Sequence, residues 1–249
     1  MYDVPPEDCV YLVDALRLEY VITCVGFDDF LDESLRRNVS HFDLVIVVTS
    51  HADHKTQYVA TKHGALVVQT DLFRKNGRRF NKGAAINAGM DRFQYHGWRM
   101  HMDADIVLPE SFRRLLFNHT CLDRECIYGA DHVDVVGKTE LHAICCHEHA
   151  QHVHSVFVHP VHHRPLSPRY VDQLRGYIPL GYFQLWHARA QKPYPYSLGT
   201  AAHDDVMFAA QWSECHRRLL PSVMSYHLCA RPPSLGENWD GQRRQPRWS

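Results

Sequence analysis

Apolar positions along the chain alternate between short saturated blocks and longer stretches of helical spacing, the pattern of strands and helices taken in turn. Glu19–Val25, Leu44–Thr49 and Ala65–Gln69 are compact apolar blocks rich in β-branched residues and read as buried strands, and the short Arg99–Met102 is read as a fourth. Phe30–Val39, His54–His63 and Gly83–Tyr95 lie between them; in the last, Ile86, Met90 and Phe93 recur at helical spacing, so all three read as helices. Strands that alternate with helices predict a parallel sheet covered on both faces, with ligands at the carboxyl ends of its strands. Beyond Pro109 a helix is expected over 110–118, short strands over 126–130 and 133–136, and a helix from Ala202 to Trp212. The aromatic, Gly-containing run Gly176–His187 reads either as a buried strand or as a platform offering Tyr182 and Trp186 to a substrate.

The fourth strand runs into Asp103-Ala104-Asp105. In an extended segment alternate side chains point the same way, so both carboxylates are expected to converge on one hard cation, Mn²⁺ or Mg²⁺, of the kind that bridges a diphosphate. A turn-capping pair of aspartates is the plainer alternative. Upstream, Asn81-Lys82-Gly83 enters the third helix, whose free amides and positive dipole end, with the Lys82 charge, are expected to meet an anion. Asp204 and Asp205 fall in the first turn of the last helix, where a carboxylate suits the dipole; capping accounts for one of them better than for both.

Taken together and in order, these segments resemble the GT-A glycosyltransferases, specifically glycosyltransferase family 2, in the stand-alone form of phage and bacterial enzymes. Ile22–Val25 looks like the family's first strand, Leu44–Asp53 its second strand with the donor loop, and Asn81-Lys82-Gly83 with Asn87 and Gly89 its Asn/Gly helix. Asp103-Ala104-Asp105 matches its Asp-x-Asp, His203-Asp204-Asp205 its late acidic motif, and His227 its C-terminal metal-ligating histidine. The match spans about Glu19 to Trp239. It implies one GT-A domain over 1–249, Rossmann-like and mostly parallel, with a nucleotide-sugar half at 19–109 and an acceptor half at 110–249.

The resemblance further implies a metal held by Asp103, Asp105 and His227, and a UDP-sugar donor met by Thr23, Ser50, Asp53 and Asp71, with Lys82 and Asp103 at its phosphates. It implies a general base, Asp205 rather than Asp204, because Asp205, Phe208 and Trp212 reproduce the family's Asp-x-x-Phe spacing and downstream Trp. The reaction implied is transfer of a sugar to a hydroxyl with inversion. A hydroxymethylated pyrimidine such as 5-hydroxymethylcytosine in phage-type DNA is one acceptor, gripped by Arg74, Lys75, Arg78 and Arg79 and by the tail arginines Arg231, Arg243, Arg244 and Arg247. A bacterial surface glycan is another. A metal-dependent phosphohydrolase and a non-catalytic nucleotide-sugar binder are the readings from other classes.

Composition narrows little further. The 249 residues, 45% hydrophobic and 22% charged, describe an ordinary globular chain, and a net charge of −1 exerts no global pull on nucleic acid or anionic membrane. No apolar run approaches the ~20 residues that span a bilayer, so no membrane insertion is expected. The acidic, Pro-containing opening Met1–Asp8 argues against a secretory leader, and eight cysteines without a framework read as reduced thiols, so a cytoplasmic setting is expected. Histidine is the anomaly, with 20 residues in the chain; those between His142 and His163, with Cys145 and Cys146, suit either a zinc site or a solvated loop.

Overall fold

The computed structural model describes residues 17–77, 80–118, 122–148, 171–172, 174–195, 201–230, 242–243 and 246–248. The first half follows the predicted alternation: β1 (Leu18–Thr23), α1 (Asp28–Asn38), β2 (Leu44–Thr49), α2 (His54–Lys62), β3 (Leu66–Gln69), α3 (Lys82–Met90) and β4 (Trp98–His101). Then come β5 (Ile106–Val107), α4 (Phe112–Asn118), β6 (Ile127–Val136), α5 (Gly137–Glu148), β7 (Val171–Asp172), β8 (Gly176–Tyr177), β9 (Gln184–His187), α6 (Ala201–Ala209) and β10 (Arg217–Cys229).

One eight-stranded sheet runs through both halves in the order β3-β2-β1-β4-β9-β6-β10-β5. Its first four strands are parallel, as expected. The rest is mixed, because β9 runs antiparallel to both β4 and β6, and β5 antiparallel to β10. Six of the eight strands, β1 to β4 with β6 and β10, run the same way, so the sheet is mostly parallel, as expected. β6 is one continuous strand rather than two. Its pairing with the long β10 carries both strands well past the ends of their neighbours.

Strict alternation in β1 and β2 divides the core. Tyr20, Ile22, Val45 and Val47 pack toward α1, α2 and α4, while Val21, Ile46 and Val48 pack toward α3 and α6. Both faces are buried, which is why these strands contain almost no polar residue. Trp186 is fully buried among Ile127, Phe208 and Trp212, so of the two readings of the aromatic run the core strand is correct for this residue. The third helix ends at Met90 rather than Tyr95. Glu19, itself buried, accepts hydrogen bonds from the Gln94 and Tyr95 amides at 2.6 and 3.2 Å, and so turns the chain into β4.

The close seat of α3 on the sheet depends on small residues. A methyl group added at Gly89 would lie 2.4 Å from Val21 Cγ2 and 2.6 Å from Val48 Cγ2. Gly89→Ala is therefore expected to cost about 1–3 kcal/mol through overpacking. A lowered midpoint in chemical denaturation at unchanged slope checks this.

Candidate functional site

Because β1 to β4 are parallel, their carboxyl ends share one edge, and that edge collects the residues expected at the donor. Asp71 follows β3, Ser50 and Asp53 follow β2, Thr23 closes β1, and Asp103 lies just beyond β4. Asp53 is heavily engaged within the protein: it caps α2 through the Thr56 amide and hydroxyl, and accepts from the Gly26 amide at 2.6 Å. Asp71 is the most open of the set, its side chain 89% exposed, with the His51 ring nitrogen 4.0 Å away.

Lys82 is the centre of the arrangement. Its ammonium, only 6% exposed, donates to Asp103 Oδ1 at 2.6 Å and to Asp205 Oδ2 at 3.0 Å. The sequence assigned the Lys82 charge and the helix amides to an incoming anion; the structure gives them protein carboxylates. The Gly83 amide donates to Asp204 Oδ2 at 2.7 Å and the Ala84 amide to Asn81 Oδ1 at 3.2 Å, so the start of α3 is already capped. Asp204 thus joins the two helices, while Asp205 alone faces Lys82. Asn87 extends the same clamp by exchanging two hydrogen bonds with the Tyr194 backbone, at 2.8 and 2.9 Å.

Burial pushes the Asp205 carboxyl up to about 7, with Asp103 and Asp204 adding to the rise and Lys82 opposing it. Asp103, although burial works against its charge, is held below the usual carboxylate range by Lys82. Two carboxylates sharing one cation are driven apart in this way, one kept ionised and one poised near neutrality. Gly181 packs directly on Asp205; a methyl there would come within 2.1 Å of Oδ2. His101 lies beneath, its Nε2 3.9 Å from Asp103 and 4.0 Å from Asp205. Its burial, reinforced by Lys82, lowers it to about 3, and Nδ1 donates to the Val21 carbonyl at 3.1 Å. His101 is a neutral floor to the site that the sequence reading did not single out.

The Asp-x-Asp segment is a turn rather than an extended strand: the Ile106 amide reaches back to the Asp103 carbonyl at 3.3 Å. The expectation that strand alternation aligns the two carboxylates is thereby corrected. Asp103 is drawn to Lys82, and Asp105 to His227, whose Nε2 lies 3.5 Å from Asp105 Oδ2. Two residues of α1 hold this turn in place. Ser34 donates to the Ala104 carbonyl at 2.7 Å, and Asn38, fully buried, pairs with Ile106 and Leu108 as a neighbouring strand would. From β10, the Leu228 amide donates to the Asp105 carbonyl at 2.8 Å.

Asp105 and His227 fit a divalent cation. Asp105 Oδ1 is buried without a hydrogen-bond partner among the described residues, and its other oxygen confronts an imidazole nitrogen. Burial opposes a charge on His227, yet Asp105 foremost, with hydrogen bonds to Asp105 and Asp134, raises it well above the ordinary histidine range. The pocket is built for a positive charge. An oxygen and nitrogen donor set favours Mn²⁺ over Mg²⁺, which prefers oxygen alone. His132 and Asp134 on β6 complete a cluster whose ligand atoms lie within 4.8 Å of one another and of His227. Neither was singled out from the sequence, since nothing local pairs them with His227, 93 positions beyond Asp134.

Other expectations divide. Arg243 is paired with Asp29 and Arg247 with Asp28 at the start of α1, where Trp248 packs on Phe30, so these tail arginines tie down the chain rather than stand ready for phosphates. Arg74 is exposed; Arg78, Arg79, Arg231, Arg244 and Trp239 lie outside the described residues, as does the side chain of Lys75. Of the His/Cys-rich segment, 149–163 lies outside them too. Tyr182 is partly buried with its ring 4.1 Å from that of His132. Among the described residues, Cys24, Cys126, Cys145, Cys215 and Cys229 form no disulfide with one another, and no helix is long and apolar enough to cross a membrane.

The chain resembles S. aureus TarS 1-349 with a TM-score of 0.54 at 12% identity, over 85% of this chain and 60% of that one. Two structures of glucosyl-3-phosphoglycerate synthase from Mycobacterium tuberculosis give TM-scores of 0.51 and 0.50 at 12% and 15% identity. They cover 92% and 82% of this chain and 77% and 68% of theirs. The first is a complex with Mn²⁺, UDP and glucosyl-3-phosphoglycerate, the second with Mn²⁺, UDP-glucose and phosphoglyceric acid. No protein-family model matches the chain, and no curated protein matches its sequence. The fold is that of the GT-A glycosyltransferases, an α/β architecture with helices on both faces of one sheet.

Removing the Lys82 cation leaves two buried or half-buried carboxylates facing each other. Lys82→Met is expected to lower the unfolding free energy at pH 8 by about 3–5 kcal/mol, the cost of breaking a buried pair on one side. The loss should shrink toward pH 5, because an unpaired Asp205 is neutralised by protonation. Denaturant unfolding at both pH values checks the magnitude and the sign.

Proposed function

We propose that this protein is a divalent-metal-dependent glycosyltransferase that moves a hexosyl group from a UDP-sugar to an acceptor hydroxyl. The observation that carries this reading is the meeting, at one sheet edge, of the Asp105–His227 pair at 3.5 Å with Asp205, a carboxyl raised to about 7. The complexes of the mycobacterial synthase with Mn²⁺ and UDP-glucose, on a similar fold, support the choice of donor and metal.

Asp105 and His227 would hold the cation, with Asp103 beside them. When bound, the ion neutralises charge that builds on the departing diphosphate. Lys82, next to Asp103, adds a second positive charge to the same region. Thr23, Ser50, Asp53 and Asp71, along the strand ends, face the nucleoside side of the donor in this reading. Asp205 takes the proton of the acceptor hydroxyl as its oxygen bonds to the anomeric carbon and the diphosphate leaves. Asp204 is spent on the Gly83 amide, so a single carboxylate serves the chemistry, which suits one displacement with inversion rather than a covalent sugar intermediate. The acceptor in this reading is a hydroxyl compound whose reacting oxygen reaches Asp205. The 5-hydroxymethylcytosine reading loses Trp186 and two tail arginines as supports and is kept as one arm of the test, beside bacterial glycans.

Incubation with UDP-sugars, Mn²⁺ and a panel of hydroxymethylated DNA and glycan acceptors tests the proposal: sugar transfer sustains it. Release of free phosphate alone points to a hydrolase, and donor binding without turnover to a binder. Asp205→Asn is expected to lower transfer about 10²–10⁴-fold while leaving UDP affinity unchanged. Because the base must be unprotonated, kcat/KM should climb about tenfold per pH unit below about 7 and level off above it. A profile flat from pH 5 to 9 removes Asp205 from this role.

A further inference from the structure

The side of His227 that faces away from Asp105 is held by β6, and its role rests on the metal reading above. In the pairing of β6 with β10, His227 lies directly opposite Asp134, with His132 two residues earlier on the same strand face. The His227 Nδ1 is 2.8 Å from Asp134 Oδ1, and the Cys229 thiol approaches the same nitrogen at 3.6 Å. Its Nε2 is 3.5 Å from Asp105 Oδ2. One imidazole can give only one ring nitrogen to a given ion. Two ligands each about 2.1–2.2 Å from one cation stand roughly 3.0–3.5 Å apart, so the Asp105–His227 spacing matches adjacent ligands. The Nδ1 side is already filled by protein groups.

We propose that Asp134 is a positioning residue for the metal. It accepts the His227 Nδ1–H, fixes the tautomer and ring angle, and so presents Nε2 toward Asp105. This is the carboxylate–histidine–metal arrangement, in which the outer carboxylate also makes the imidazole a stronger ligand. It rests on a cross-strand pair inside the sheet rather than on a loop, which keeps the ligand rigid before any ion arrives. His132 is a packing residue: its ring lies 4.1 Å from Tyr182 and meets His227 edge-on at 5.8 Å. It supports the imidazole without ligating.

The test is a Mn²⁺ titration of the full chain followed by electron paramagnetic resonance, with and without UDP, on wild type and on Asp134→Asn, Asp134→Glu, His132→Asn, Asp105→Asn and His227→Ala. Asp134→Asn is expected to weaken Mn²⁺ binding 10–100-fold with metal-free melting unchanged. Asp134→Glu, which keeps the charge, should recover most of that loss, and His132→Asn should stay within about twofold of wild type. Wild-type affinity in Asp134→Asn overturns the positioning role while His227→Ala still upholds the metal site. A loss in His132→Asn as deep as in His227→Ala overturns it too, by placing the ion on the Nδ1 side. If neither Asp105→Asn nor His227→Ala weakens binding, the metal reading itself fails.

Discussion

A single buried ammonium holds this site together. Lys82 lies at the first turn of α3 and spans the gap between the end of β4 and the N-terminal half of α6, joining Asp103 to Asp205. A buried cation must be paired, and a buried carboxylate likewise, so each of the three groups is tolerable only because the others are there. Asp204 reinforces the junction from the same turn of α6 by capping α3. Three elements far apart in the chain are thereby fixed at one point, and the small residues of α3 allow the approach.

That junction also sorts four carboxylates into different chemical states. Asp204 is a structural acceptor, Asp103 an ion-paired anion, and Asp205 a group near neutrality. Asp105 stands apart, with the His227 ring in front of it. Neighbouring aspartates in sequence have different tasks because burial and partners, not residue type, set their charge. The site therefore has a fixed positive charge, Lys82, on one side and the Asp105–His227 pair, proposed to hold a cation, on the other, flanking the region where a diphosphate is proposed to lie.

The architecture explains how they come to share one edge. Four parallel strands deliver Thr23, Ser50, Asp71 and Asp103 to the same side of the sheet. The reversal at β9 then lets β6 and β10 rise past that edge, and this pair carries His132, Asp134 and His227 up to meet the turn at Asp105. Ser34 and Asn38 on α1 hold the turn from below. None of these supports touches a proposed ligand, yet the site has no geometry without them.

Local periodicity and short-range spacing determined the strand and helix alternation through His101, the Asp-x-Asp and the α3 start, since each depends on residues within a turn or two of one another, whereas the preference for Asp205 rested on the family resemblance. Contacts across the chain decided the rest. Lys82 turned out to face carboxylates because α6, more than 110 residues later, packs on α3. The two aspartates of the motif separated because a turn, not a strand, follows β4. Trp186 entered the core, Arg243 and Arg247 found acidic partners, and His132 with Asp134 joined His227, all through pairings that sequence spacing does not encode. The physical reason is the same throughout: hydrophobic period is a local property, whereas the partner of a buried charge is chosen by whichever surface the fold brings against it.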